Sequence, residues 1–291
     1  MRGLGAMSAS VNDKRPDFHA AQGIATRVRG DVFRVLARRL LPKVLYHRVS
    51  GLLNMLAVAR REGFAGCRVM SPLDGGVVVH RFRSLRHPFT FQRTESHVGA
   101  VIQSIFRREY SKLPKQFEPR VFIDAGAFIG DLTCLWATEF PQARVVALEP
   151  NADNFGFAQR NTRPFGNRII LLRAGLWSDC GRMDMTGANW GARLEAGQPG
   201  QGTVQVLDVG ALMGQLSLER IDVLKLDIEG AESRVLSEGC LQWLDRVSCL
   251  IVEFHGDHIE KEVTSRLVEQ GLRGRRFRSL VYFTRRDHAS V

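Results

Sequence analysis

Cysteine is scarce and badly placed for cross-linking. The chain of 291 residues holds five, at positions 67, 134, 180, 240 and 249, an odd number, widely spaced and without a CxxC pair. That excludes a disulfide-stapled scaffold and a structural zinc site. A reducing compartment, the cytoplasm, is the expected location. Long apolar runs are missing as well. The longest uncharged one, Val49–Ala59 between Arg48 and Arg60, is too short to span a bilayer, and residues 1–17 lack the apolar core of a signal peptide. Secretion and membrane spanning are therefore not expected. There is no internal repeat, no low-complexity tract, and no GxGxxG, so the dinucleotide fingerprint is absent.

What is present is an ordinary globular composition, 44% hydrophobic and 24% charged, with a net charge of +11. At this length one large domain with an appendage, or two domains, is expected. The charge is uneven: residues 1–120 carry 22 Lys and Arg against 8 Asp and Glu, whereas residues 121–291 carry 19 against 22. Six of the later basic residues crowd between Arg273 and Arg286. A basic half points to packing of solvated helices or to an anionic carrier or membrane surface. Nucleic acid fits less well, because Phe33 and Tyr46 are too few aromatics among the arginines to stack bases. Ile24, Val28, Val32, Leu36 and Leu40 recur every four residues, with Arg27, Asp31, Arg34 and Arg38 on another stripe, which predicts an amphipathic helix before Pro42.

The helical pattern extends to about Glu62. One or two short strands are predicted over Val77–Phe91 and a helix over about Val98–Tyr110, followed by a linker with Pro114 and Pro119. Five apolar, β-branched runs come next: Val121–Asp124, Val145–Glu149, Ile169–Arg173, Val223–Asp227 and Leu250–Glu253. Helix-length segments lie between several of them, at Leu132–Phe140, Asn151–Asn161 and Ala231–Leu244. The alternation predicts an α/β, Rossmann-like fold, a mostly parallel sheet with helices on both faces. Residues Phe277–Arg278 and Leu280–Thr284 could add an antiparallel edge strand. The expected division is a basic, helix-rich region at 1–113 and an α/β domain at 114–291.

Ligands bind such sheets at the carboxyl ends of the strands. There the first run ends in Asp124, then a turn with Gly126, Ala127 and Gly130, and the second ends in Glu149, where a carboxylate can grip ribose hydroxyls. An acid in the glycine turn leaves a pyrophosphate poorly placed and suits a ligand with a cationic amino-acid tail. S-adenosylmethionine meets that description best; a nicotinamide or flavin dinucleotide and a purely structural turn are the alternatives. Asn151, Asn154 and the Gly175 stretch are expected near the ribose and adenine.

The strings IDAGAFIGD, ALEPNADNF, IDVLKLDIEGAE and IVEFH, in that order over roughly Ile102–His255, resemble the FkbM family of S-adenosylmethionine-dependent methyltransferases. The stretch from Ile105 to Tyr110 is similar to that family's lead-in. One departure is Phe128, where the family usually has Asn. The resemblance implies a class I methyltransferase fold and methylation of a hydroxyl on a sugar, glycan or polyketide-like small molecule. Asp227, Glu229, Glu253 and His255 end the later strands and are the candidate acid–base groups, with Asp227 or His255 the expected base. A divalent metal held by Asp227, Glu229, His255, Asp257 and His258 is weighed against the lack of any tight ligand spacing, and no metal is expected. The glycine-rich segment Gly187–Gly202, with Asn189, Trp190 and Arg193, is either a lid or a surface insertion. The reading from another class is a non-catalytic Rossmann-like protein that binds nucleic acid or an anionic surface through its basic half.

Overall fold

The structure is a computed structural model and describes residues 43–71, 73–113, 117–186, 193–195 and 203–285. The chain divides into two compact units, Met1–Leu53 and Asn54–Val291. The amphipathic stripe Ile24–Leu40 lies outside the described residues, as does most of the Gly187–Gly202 segment, Trp190 included. Among the described residues no helix is long and apolar enough to cross a membrane.

Helix α1, Lys43–Met70, is interrupted at Gly63, whose φ of 71° only glycine adopts without strain. Strands β1 (Val77–His80) and β2 (Phe89–Gln92) form an antiparallel hairpin. Helix α2, Glu95–Val101, starts where the Thr94 hydroxyl accepts the His97 N–H. The single helix expected over Val98–Tyr110 is corrected here: α2 loosens into a π-helical turn at Ile102–Phe106, and the chain then bends at Arg108, φ 53°. That bend frees Tyr110 to turn away from the helix axis.

The main sheet has the order β12-β13-β11-β10-β3-β4-β5, where β3 is Val121–Ala125, β4 Arg144–Leu148, β5 Ile169–Leu172, β10 Ile221–Leu226, β11 Val247–Glu253, β12 Leu272–Phe277 and β13 Leu280–Arg285. Strands β5, β4, β3, β10 and β11 run parallel, and β13 enters antiparallel between β11 and β12. The chain winds outward from β3 in one direction and returns to β10 on its other side. The switch point therefore lies between the carboxyl ends of β3 and β10, where doubly wound sheets bind ligands. Strands β6 (Ala174–Leu176), β7 (Gly181–Thr186), β8 (Arg193–Glu195) and β9 (Val204–Leu207) form a smaller sheet beside it. The outer strand β12 carries Arg273, Arg275 and Arg276 exposed.

Successive residues of the central strands face opposite sides, and both sides are buried, hence the near-continuous apolar runs. Phe122, Val145, Val223 and Ile251 join one core with Phe82, Phe89, Phe91, Ile105 and Trp136. Ile123, Val146, Leu224 and Leu250 join the other with Leu212, Trp243, Val263 and Leu267. Residues from Val58 onward thus supply much of one face, so the boundary expected between residues 113 and 114 falls inside the second unit.

Helix α3 is Asp131–Glu139, and α4, Ala152–Thr162, is capped by Asn151, whose side chain accepts from the N–H groups of Asp153 and Asn154. Helix α5 is Val209–Gln215. The single helix expected over Ala231–Leu244 is also corrected: α6 covers only Glu232–Val235, Ser237 is extended (φ −70°, ψ 157°), and the chain resumes as a 3-10 helix at Glu238–Arg246. Helix α7, Asp257–Glu269, follows β11.

The Phe82 ring, fully buried, lies against His80, Phe89, Phe91 and Phe106 with centroids 4.7, 6.4, 5.9 and 5.5 Å away. Phe82→Ala is expected to cost about 3–5 kcal/mol by urea unfolding. A loss under about 1 kcal/mol would show that the hairpin is not part of the cooperative core.

Candidate active site

A cleft, partly open to solvent, sits at the switch point. Its floor is a cross-strand pair. The parallel register of β3 and β10 sets Lys225 directly opposite Asp124, on the same side of the sheet. The Lys225 ammonium, 3% exposed, lies 3.3 Å from Asp124 Oδ1 and 3.4 Å from Asp227 Oδ2, and donates to the carbonyl of Gly126 at 2.7 Å. Burial alone would push the proton off Lys225, but the carboxylates of Asp227, Asp124 and Asp131 outweigh it and hold the amine firmly charged. Asp124, fully buried, takes the Thr133 hydroxyl at 2.6 Å on its other oxygen. Its charge is thereby committed to the scaffold.

The glycine turn has little slack. Gly126 has φ 79°, and a Cβ there would overlap the carbonyl oxygen of Asp227. The N–H groups of Gly126 and Ala127 both donate to Leu148 O, at 3.0 and 2.9 Å, which ties the turn to β4. Phe128, at φ 52°, donates its N–H to Glu149 Oε2 at 2.8 Å, while Asn151 N donates to Oε1 at 2.9 Å. What the turn takes from position 128 toward Glu149 is a backbone N–H, which Phe supplies as well as Asn. The Phe128 ring meets the edge of His97 at 5.2 Å. Desolvation pushes the Glu149 carboxyl up to about 7, against hydrogen bonds from Asn151, Phe128 and Asn154 that favour its charged form. Asp131, buried beside Asp124, is raised by desolvation to about 6, against a hydrogen bond from Ser104.

Opposite the turn, the Tyr110 hydroxyl lies 3.2 Å from Asp227 Oδ2 and 3.1 Å from Glu253 Oε2, and Gln103 Nε2 donates to the same Glu253 oxygen at 3.3 Å. Burial and the negative charge of Asp227 hold Glu253 above the usual carboxylate range. His255 faces three carboxylates: Nδ1 is 2.9 Å from Glu232 Oε1, and Nε2 is 3.5 Å from Glu229 Oε2 and 3.8 Å from Asp227 Oδ1. Desolvation would lower its pKa, but the hydrogen bond to Glu232 and the three negative charges raise it to about 9. Standing alone, the imidazole is a cation at neutral pH and not a base.

Of the residues singled out in the sequence, Asp124, Gly126, Ala127, Glu149, Asn154, Gly175, Asp227, Glu229, Glu253 and His255 line this one cleft. Gly130 and Asn151 do not. A Cβ on Gly130 would lie 3.3 Å from the Ala158 backbone, so its role is helix packing, and Asn151 spends its side chain capping α4. Sequence reasoning missed Tyr110, Gln103 and Glu232 and left Lys225 as a bystander. An ionisable residue inside an apolar strand, as Lys225 is, was the one available signal.

The chain matches the Methyltransferase FkbM domain over residues 124–279. No curated protein matches it. Among solved structures it is similar to the methyltransferase FkbM of Methylobacillus flagellatus KT, with 18% identity and a TM-score of 0.44. That likeness covers 64% of this chain and 53% of that one, so the chain spans about half of that relative's length. It is also similar to a precorrin-6y C5,15-methyltransferase from Geobacter metallireducens GS-15 (14% identity, 62% and 86% covered, TM-score 0.38). A third is the N-terminal domain of human METTL16 in complex with SAH (15%, 57% and 61%, TM-score 0.34).

Lys225→Met should cost about 3–5 kcal/mol in urea unfolding, because Asp124 and Asp227 are left without their counter-charge. A variant as stable as the wild type would refute the ammonium's structural role. For Glu149 the sign follows from its raised pKa. Its contribution to stability is full below about 4.5, its ordinary value, and is lost as pH rises through about 7. Melting temperature of the ligand-free protein should thus fall less between pH 5 and pH 8 in Glu149→Gln than in the wild type; parallel curves would contradict it.

Proposed function

Because the chain belongs to the FkbM methyltransferase family and has the doubly wound class I methyltransferase topology, we propose that it uses S-adenosylmethionine to methylate a hydroxyl of a sugar, glycan or polyketide-like molecule. The observation that carries the cofactor assignment is the charge of the cleft. Among the described residues Asp124, Asp131, Glu149, Asp227, Glu229 and Glu253 line it, against one ammonium and one imidazole. Such a surface repels pyrophosphate and attracts a ligand with an ammonium and a sulfonium. S-adenosylmethionine, when bound, supplies an electrophilic methyl on sulfur.

The chain's own residues then have separable tasks. Glu149, fixed by two backbone N–H groups and by Asn154, presents its remaining lone pairs to a ribose diol. Gly175 and Leu176, at the first strand of the smaller sheet, form the wall beside it. The turn at Gly126 admits the amino-acid end, with Asp124 and Lys225 beneath as fixed dipole and charge. Methyl transfer to oxygen needs the acceptor held in line and its proton removed. Asp227 and Glu253, bridged by Tyr110, stand at the mouth as acceptors for that proton.

Calorimetric titration with S-adenosylhomocysteine tests the reading. Micromolar binding is expected for the wild type, with affinity at least tenfold weaker in Glu149→Gln once its fold is verified by circular dichroism. Failure of the wild type to bind S-adenosylhomocysteine or S-adenosylmethionine at millimolar concentration would overturn it.

A further inference from the structure

At the mouth of the cleft three potential ligand atoms converge from two segments, the loops that follow β10 and β11. One oxygen each of Asp227 and Glu229 and one nitrogen of His255 lie within 4.8 Å of one another. We infer that Asp227, Glu229 and His255 form an open-sided site for one divalent cation of the Mn²⁺ or Mg²⁺ kind, beside the acceptor pocket.

The geometry supports this in three ways. First, His255 Nε2 stands 3.5 Å from Glu229 Oε2 and 3.8 Å from Asp227 Oδ1. Metal bonds of about 2.1 Å place neighbouring donors about 3.0 Å apart in an octahedron and about 3.4 Å in a tetrahedron, so small side-chain rotations suffice. Second, the imidazole has the outer support that ligating histidines have. Its Nδ1 is 2.9 Å from a carboxylate oxygen of Glu232, a residue with no exposed surface. Glu232 Oε1 also accepts from Ile228 N and Gly230 N, so the residue that orients the ring also holds the loop that carries Glu229. Its other oxygen is buried with no hydrogen-bond partner among the described residues. Third, three carboxylates, those of Asp227, Glu229 and Glu232, lie around the one imidazole, and a negative potential of that kind draws a divalent cation.

Three protein donors leave coordination positions free. Oxygen donors with one imidazole suit Mn²⁺ and Mg²⁺ more than a soft ion. Asp257 and His258, which also entered the expectation from sequence, are not in the cluster. His255 is distant in sequence from the Asp227–Glu229 pair because the donors follow two neighbouring parallel strands, β10 and β11, and the sheet register unites them.

The role of the ion rests on the methyltransferase reading; the ion's binding does not. An acceptor hydroxyl taken up at a free position would have its pKa lowered. Its proton passes to Glu253 and from there to solvent, the oxygen forms a bond to the methyl carbon, the carbon–sulfur bond breaks, and sulfur keeps the electron pair as a neutral thioether. The sum is one proton released per methyl transferred.

The test uses the full chain, Mn²⁺ alone, and electron paramagnetic resonance to count free ion. The wild type should take up one Mn²⁺ per chain at micromolar to sub-millimolar concentration, displaceable by excess Mg²⁺. Asp227→Asn and Glu229→Gln should each weaken uptake at least tenfold once circular dichroism shows each variant folded, and ¹⁴N coupling from the imidazole should vanish in His255→Gln. An undiminished free signal at millimolar protein and ion, or uptake that none of the three variants alters, would overturn the site. S-adenosylhomocysteine titration in chelator runs in parallel. Binding there without Mn²⁺ uptake sinks the cation and leaves the methyltransferase reading intact, whereas Mn²⁺ uptake without nucleoside binding keeps the cation site and sinks that reading.

Discussion

A single buried ammonium makes the rest of the cleft possible. Lys225 is drawn from the middle of an apolar strand into a nest of Asp124, Asp227 and the Gly126 carbonyl. Without it, two strand-end carboxylates would meet across adjacent parallel strands with nothing between them. The register that pairs Lys225 with Asp124 also pairs Leu226 with Ala125 and so sets where both strands stop. Turn, floor and mouth are consequences of that one cross-strand neighbour. Pairing ions in a buried site gives little net stability, because desolvation consumes most of the attraction. Its return is a fixed position for groups that must not move.

The loops around this nest carry strain that is visible in the backbone. Phe128 and Glu229 both hold positive φ, 52° and 53°, at the two loops that face each other across the cleft. Non-glycine residues there cost of order 1–3 kcal/mol each. The strain is tolerated because each loop is over-determined by hydrogen bonds, to Glu149 in one case and to Glu232 in the other. Two buried carboxylates thus act as clamps on the loops that carry the reactive surface.

Much of the sheet could be read from the chain because its cause is local. Runs such as Val121–Ala125 and Val247–Glu253 are apolar on both faces and carry an acid at or next to their last residue. The carboxylates at those ends, Asp124, Glu149, Asp227 and Glu253, were legible for the same reason. What stayed hidden depends on register and on chain reversal. Tyr110 reaches Asp227 and Glu253 across 117 and 143 residues, after a π-helical turn that periodicity does not announce. Glu232 reads as an ordinary first-turn acid of a helix, yet it is fully buried and turned back on His255. Gly130 and Asn151 mislead in the opposite direction: both sit in a suggestive motif, and both are consumed by packing and capping.

The arginines on β12 bear on what this protein does at high concentration. A seven-stranded sheet that ends in a bare strand offers unpaired backbone groups to a second copy of itself. Here the terminal strand presents Arg273, Arg275 and Arg276 to solvent. Two such edges approaching antiparallel would bring like charges together at strand spacing, which disfavours the pairing. The same arginines that raise the chain's net charge therefore guard the sheet against growing from one molecule into the next.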